Sequence, residues 1–345
     1  MRAIAKTFAK EGLEIIDVKI PEIKEKEVLI KVKMAAICGT DVHIYKWDEW
    51  AQSRIKIPQI IGHEFCGEVV EVGKAVSKVK KGDFVSAETH IVCGRCIQCL
   101  SGQMHLCSNL KILGVDCDGC FAEYVKIPED IVWINEPSLP PEIAAIQEPF
   151  GNAVYCTLVE PVNGKSVLIM GAGPQGLFAT AIARASGATL VIVVEPSDFR
   201  RKMAKELGAD VVINPNKENV EEIVMEMTKG VGVDVFLDMA GIEYSIKTGL
   251  KLLRKGGRFS AFGIPSRPIS INFADDIIFK GITIYGINGR LMFDTWVKVR
   301  NFLSTKRIDI SKVITHKFKF SEFNKAFEIL TSPEKNCGKI LLIPD

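Results

Sequence analysis

Ser166-Val167-Leu168-Ile169-Met170-Gly171-Ala172-Gly173-Pro174-Gln175-Gly176 is the stretch on which the fold turns. Its first five residues are an apolar run with the length of a strand buried on both faces. A Gly-x-Gly-x-x-Gly turn follows, and from 176 to 186 the apolar residues recur at helical spacing. The next apolar run, 189–194, ends on Glu195, nineteen positions after Gly176. Strand, glycine turn, helix, strand and acidic residue in this order form the context that a dinucleotide fingerprint requires. The glycines permit a tight turn and close approach of backbone to a pyrophosphate, and the helix N-terminus offers N–H donors and partial positive charge. Glu195 can accept hydrogen bonds from both ribose hydroxyls and repels a 2′-phosphate, which favours NAD over NADP. Arg200 and Arg201 nearby pull the other way.

Working outward, 198–207 reads as a helix stopped by Gly208, and 211–213, 233–237, 258–262 and 283–285 read as strands. Strands alternating with helices predict a parallel sheet covered on both faces, the doubly wound α/β arrangement. Upstream the pattern differs. Short runs at 28–32, 68–72, 84–85 and 121–125, separated by Gly/Asp turns, predict a β-rich, barrel-like domain. Pro137, Pro140, Pro141 and Pro149 punctuate the boundary. The expected division is 1–150 together with 290–345, and 151–289 between them.

Composition excludes several classes. With 345 residues, 47% hydrophobic and 25% charged, the chain reads as globular rather than disordered. Net charge is +2, from 44 basic and 42 acidic residues, so nothing general attracts nucleic acid or a membrane surface. No apolar run approaches the ~18–20 residues of a membrane span, and the first residues lack a signal-peptide core. A cytoplasmic protein acting on a small molecule is expected, and its ten cysteines read first as metal ligands.

Cys93-x2-Cys96-x2-Cys99-x7-Cys107 suits a closed tetrahedral zinc of structural type, bracing a lobe at about 90–110. Disulfides or free thiols are the alternatives. A second set is dispersed: Cys38, His63, Glu64 and Glu148. A catalytic zinc keeps three protein ligands and one open position. One thiolate, one imidazole and one carboxylate would leave such an ion nearly neutral, but the sequence does not establish that these segments meet. Cys117-Asp118-Gly119-Cys120 reads as a two-residue hairpin, and Cys66, Cys156 and Cys337 as packed small side chains.

Taken together, Gly62-His63-Glu64-x2-Gly67-x5-Gly73-x2-Val76, the four-cysteine lobe and the glycine turn resemble the zinc-containing medium-chain alcohol dehydrogenases over essentially the whole chain. The resemblance narrows on residues 38–50, 89–94, 148–154 and 285–290. It implies a GroES-like β-rich catalytic domain interrupted by a Rossmann domain, and a homotetramer. It implies two zinc ions, one held by Cys38, His63 and Glu64 and one by the four cysteines. Glu148 would lie beside the catalytic metal, with Thr40 and His43 as a proton relay. Gly171, Gly173, Gln175, Gly176, Glu195, Arg200, Phe262, Gly263, Ile264, Ile287 and Asn288 would contact NAD. His90 and Trp47 are the weaker substrate-pocket candidates. The expected reaction is oxidation of the 3-hydroxyl of L-threonine to 2-amino-3-oxobutanoate. The same chemistry on a polyol or 2,3-butanediol, or a zinc- and NAD-binding protein without catalysis, are the alternatives.

Overall fold

The strand Glu27–Ala36 organises the first unit of the structure, a computed structural model whose described residues are 1–334 and 336–345. Its apolar side chains, including Val28, Ile30 and Val32, are buried. It pairs antiparallel with Glu64–Val72 along its length, with Tyr124–Pro128 at its start and with Lys339–Ile343 at its end. Two register shifts in the first of these ladders bend the strands, as bulges do. Phe84–Ala87 and Val132–Ile134 extend the sheet on one side and Ile314–Lys319 on the other. A three-stranded sheet of Glu14–Asp17, Arg2–Lys6 and Gln59–Ile60 completes this β-rich unit.

Two local expectations are corrected here. The strand expected at 121–125 begins at Tyr124. Phe121 is held instead by Ile4 N–H donating to its carbonyl (2.7 Å) and by its own N–H donating to Ile61 O (3.0 Å). Nor do Asp118 and Gly119 form a hairpin: Asp118 Oδ1 accepts from Ile60 N (3.2 Å), and Gly119 and Cys120 donate to Ile60 O and Gly62 O. Pairing with a distant segment outcompetes the local turn.

The second unit is the doubly wound sheet. Its six parallel strands run in the order Val211–Ile213, Leu190–Val194, Ser166–Met170, Val233–Asp238, Leu253–Ala261, Thr283–Gly286. The side chains of 167–170 are essentially inaccessible, as a strand covered on both faces requires. Gly171 has φ +98°, and a Cβ on Gly176 would stand 1.9 Å from Gly171 O, so the helix Pro174–Ala185 packs where only glycine fits. The compact units are Met1–Pro149 with Ile314–Asp345, and Phe150–Val313. The chain therefore returns to the first unit at Ile314 rather than at 290. The helix Asp294–Ser304 buries Trp296 and Val299, and Arg290 donates to Asn152 Oδ1 (2.8 Å), which ties 290–313 to the nucleotide-type unit. Among the described residues no helix is long and apolar enough to cross a membrane.

Candidate functional site

Strand register brings the dispersed ligands together. Ala36 pairs with Glu64, so Cys38 and His63 emerge just beyond the same ends of two neighbouring strands. Cys38 caps the helix Gly39–Lys46. One ligand atom from each of Cys38, His63 and Glu64 lies within 4.8 Å of the others. Lys339, carried by the strand paired to residues 35 and 36, donates to Glu64 Oε1 (2.7 Å) and Ile37 O (2.9 Å). Asp41 is fully buried, accepts from Cys38 N–H (2.8 Å) and faces His63 electrostatically.

This pocket is rich in acidic groups held away from water. Burial pushes the Cys38 thiol and the Asp41 and Glu64 carboxyls above their ordinary ranges, Glu64 furthest. For Lys339 burial acts downward, yet Glu64 and Cys38 carry the ammonium above its usual value. His63 Nδ1 is buried with no hydrogen-bond partner among the described residues. A half-buried thiol beside a buried imidazole and a buried carboxylate, with one lysine against several acids, is a donor set that a divalent cation balances. Zinc fits it by ligand type.

Around this centre, Glu148 is buried and accepts from Thr89 Oγ1 (3.1 Å). It lies close enough to raise both the Cys38 thiol and the Glu64 carboxyl. Thr40 Oγ1 is 3.8 Å from Cys38 Sγ, and His43 stands one helical turn further, exposed and against Asp48. His90 is buried, with Nδ1 3.0 Å from Glu88 Oε1. The Trp47 ring faces the Lys6 ammonium at 5.0 Å. Asp41 and Lys339 are the site residues that sequence reasoning missed. Asp41 had a local signal, an acidic residue three positions after the helix cap. Lys339 had none.

The four-cysteine lobe also fits a metal. Its sulfurs lie 3.5–3.8 Å apart for the pairs Cys96–Cys99, Cys96–Cys107 and Cys93–Cys107. Those spacings exclude a disulfide and approach the ~3.8 Å edge of a tetrahedron with ~2.3 Å zinc–sulfur bonds. Peptide N–H groups of Arg95 and Cys96 hold the Cys93 thiol down to about 6. Backbone N–H groups lower the Cys96 thiol as well, whereas burial pushes the Cys99 thiol up to about 12.

In the second unit, Gly171–Gly176, Glu195, Phe262–Ile264 and Ile287–Asn288 follow the carboxyl ends of four strands of one parallel sheet. That edge is where open α/β sheets bind ligands. Glu195 is buried, its carboxylate accepting from Ala172 N–H (2.8 Å) and Ser197 N–H (3.0 Å). Arg201 is committed to the carbonyls of Glu195 and Pro196 and to Asp198. A Cβ on Gly173 would meet open space, and Gln175 Oε1 is buried with no partner among the described residues. An open glycine and an unsatisfied amide at a helix N-terminus fit a dinucleotide.

Comparison with known proteins agrees with both halves. Residues 24–136 match the alcohol dehydrogenase GroES-like domain, and residues 174–305 match the zinc-binding dehydrogenase domain. The L-threonine 3-dehydrogenase of Pyrococcus abyssi is 52% identical over 344 residues, covering 99% of this chain and 98% of that protein. The L-threonine 3-dehydrogenase of Caldanaerobacter subterraneus is 50% identical over 345 residues, covering 100% and 99%. The crystal structure of 2R,3R-butanediol dehydrogenase from Bacillus subtilis aligns with a TM-score of 0.89 at 28% identity, covering 100% and 99%.

Proposed function

This chain belongs to the zinc-binding alcohol dehydrogenase family, and on that premise we propose that it oxidises the 3-hydroxyl of L-threonine to 2-amino-3-oxobutanoate with NAD as acceptor. The observation that carries the chemistry is the meeting of Cys38, His63 and Glu64, with Glu148 beside them. The observation that favours threonine is identity of about one half over the full length to threonine dehydrogenases, against 28% to the butanediol enzyme.

Cys38, His63 and Glu64 would hold one zinc and the four cysteines a second, two per chain. When bound, the catalytic zinc supplies Lewis acidity toward an alcohol oxygen, and the nicotinamide supplies a two-electron acceptor. The protein's own groups do the rest. Thr40 and His43, three residues apart on one helix, share a face and pass the hydroxyl proton outward to solvent. Glu148, oriented by Thr89, assists that transfer. His90 and Trp47 contribute to the amino-acid pocket. Glu195 holds the ribose, and its negative charge selects NAD. Gln175, Arg200, Phe262–Ile264 and Ile287–Asn288 complete the nucleotide contacts.

A cytoplasmic homotetramer is part of this reading. Among the described residues the edge strand Thr283–Gly286 has no further neighbour in its sheet, and Phe273, Ile278 and Phe279 are exposed. An unpaired edge with apolar surroundings favours self-association.

The test is NADH formation by the zinc-loaded protein with L-threonine, 2,3-butanediol and sorbitol at matched concentration. Selective turnover of threonine is expected. Preference for a diol or polyol would overturn the substrate while leaving the family intact.

A further inference from the structure

We propose that Asp48 is a positioning residue for His43, fixing which imidazole nitrogen is free to take the relayed proton. The assignment rests on the reading of Thr40 and His43 as a proton relay.

His43 lies near the end of the helix Gly39–Lys46, with more than half of its side chain exposed. An imidazole so placed would ordinarily sample several rotamers and both tautomers. Here the chain folds back to hold it. Trp47 ends the helix in the left-handed region (φ +55°), and Asp48 N–H approaches His43 O at 3.5 Å. Asp48 in turn caps the next helix, Glu49–Arg54, with Oδ1 accepting from Ala51 N–H at 3.0 Å. That bond fixes the carboxylate and leaves Oδ2 hydrogen-bonded to His43 Nδ1. Trp50, on the helix that Asp48 caps, presents an edge-on contact to the imidazole, with ring centroids 6.1 Å apart. Gln52 secures the same turn by donating to Trp47 O (2.8 Å).

An ionised carboxylate only accepts hydrogen bonds, so the imidazole nitrogen facing it carries the hydrogen. In neutral His43 this leaves Nε2 as the lone-pair nitrogen. The balance of the step follows. The Nε2 lone pair takes the proton handed on by Thr40, and the ring becomes a cation. The Nδ1–H bond to Asp48 then becomes charge-assisted, and the Nε2 proton departs to water from the exposed side of the ring. Without Asp48, both tautomers and several ring orientations compete, and only a fraction of molecules offers Nε2. The cost falls on the proton-transfer step and not on substrate affinity. The arrangement has the logic of a base oriented by a third group.

The experiment combines two readouts on the zinc-loaded protein. Nitrogen-15 NMR of histidine-labelled protein, assigned with His43→Gln, reports the His43 tautomer. The wild type is expected to carry the hydrogen on Nδ1, and Asp48→Ala to lose that preference. Kinetics with L-threonine and NAD are expected to show kcat lowered between about 10- and 100-fold in Asp48→Ala, with KM little changed and partial recovery in Asp48→Glu. In a His43→Gln background, Asp48→Ala should cost nothing further. An unchanged His43 tautomer in Asp48→Ala would overturn the assignment, as would an Asp48→Ala loss that persists undiminished without His43. Full kcat in His43→Gln would overturn the relay reading itself and remove the catalytic meaning of the assignment, whatever the tautomer.

Discussion

Lys339 and Glu64, 275 residues apart in sequence, form a buried ion pair in which both side chains are almost wholly withdrawn from water. The ammonium approaches both carboxylate oxygens, at 2.7 and 2.5 Å, and satisfies Ile37 O as well. Each is the other's nearest charged partner, with Ile37 O the ammonium's further acceptor. Removing one partner of such a pair typically costs about 3–5 kcal/mol, because the other is left buried and uncompensated. Lys339→Met should therefore destabilise the metal-free protein by that order, and Lys339→Met with Glu64→Gln by clearly less. Denaturant unfolding checks this. Equal losses in the single and double variants would show that the pair is not the cause.

The two metal clusters should separate in experiment. Cys99→Ser is expected to lower bound zinc from two per chain to one and to depress the melting temperature, since a closed four-thiolate site contributes folding energy. Cys38→Ser should also lose one zinc and abolish turnover, while NADH binding, followed by nicotinamide fluorescence, survives. Elemental analysis of both variants decides the matter. An unchanged melting temperature in Cys99→Ser would contradict the structural role, and retained turnover in Cys38→Ser would contradict the catalytic one.

Gly176→Ala tests the close approach of helix to turn. The added methyl would stand 1.9 Å from Gly171 O, far inside contact distance, and the obstacle is backbone. The helix must shift away from the glycine turn. Dinucleotide affinity is expected to fall at least tenfold and stability by about 1–3 kcal/mol, the usual cost of overpacking. Gly173→Ala, where the Cβ meets open space, should leave stability intact and reduce only affinity. Calorimetric titration with NADH and thermal melting distinguish the two.

A pH dependence follows from Asp234. Burial pushes its carboxyl up, but Ser166, through N–H (2.8 Å) and Oγ (2.7 Å), and the Arg254 guanidinium (2.6 Å) outweigh burial and hold it below the ordinary value. A carboxylate with a depressed native value binds fewer protons when folded than when unfolded. Its contribution is present above the ordinary carboxylate range and drains away as pH falls through the native value. Asp234→Asn should therefore cost roughly 1–2 kcal/mol at neutral pH and progressively less under acid. A difference from wild type that stays constant down to pH 3 would contradict the linkage.

Much of this was readable in the sequence because the signals are local. The glycine turn announces itself within eleven residues, and the four cysteines within fifteen. What stayed hidden depends on register between distant segments. Nothing near Lys339 indicates that its ammonium ends at Glu64, because the pairing of Leu341 with Ala36 decides it. Asp118-Gly119 carries a strong hairpin signal, yet the peptide groups of residues 60–62 bind there instead. Residues 290–313 have mixed character in sequence, so the expected return at 290 differs from the observed one at Ile314, and the burial of Trp296 and Val299 is what groups them with the second unit. Cys38, His63 and Glu64 were recognisable by family pattern, whereas their meeting is a product of the Ala36–Glu64 ladder.

The placement of Lys339–Ile343 between Glu27–Ala36 and Ile314–Lys319 also sets an order of assembly on the ribosome. Residues 150–313 are contiguous and can close their sheet as they emerge. The earlier-made residues cannot finish theirs, because Tyr124–Pro128 covers only residues 27–31 of Glu27–Ala36, while Ala35 and Ala36 await Lys339–Ile343, and until that strand is made Glu64 lacks the Lys339 ammonium. The part of the protein translated first is thus the part finished last, and the metal pocket takes its final form only after the nucleotide-type unit exists.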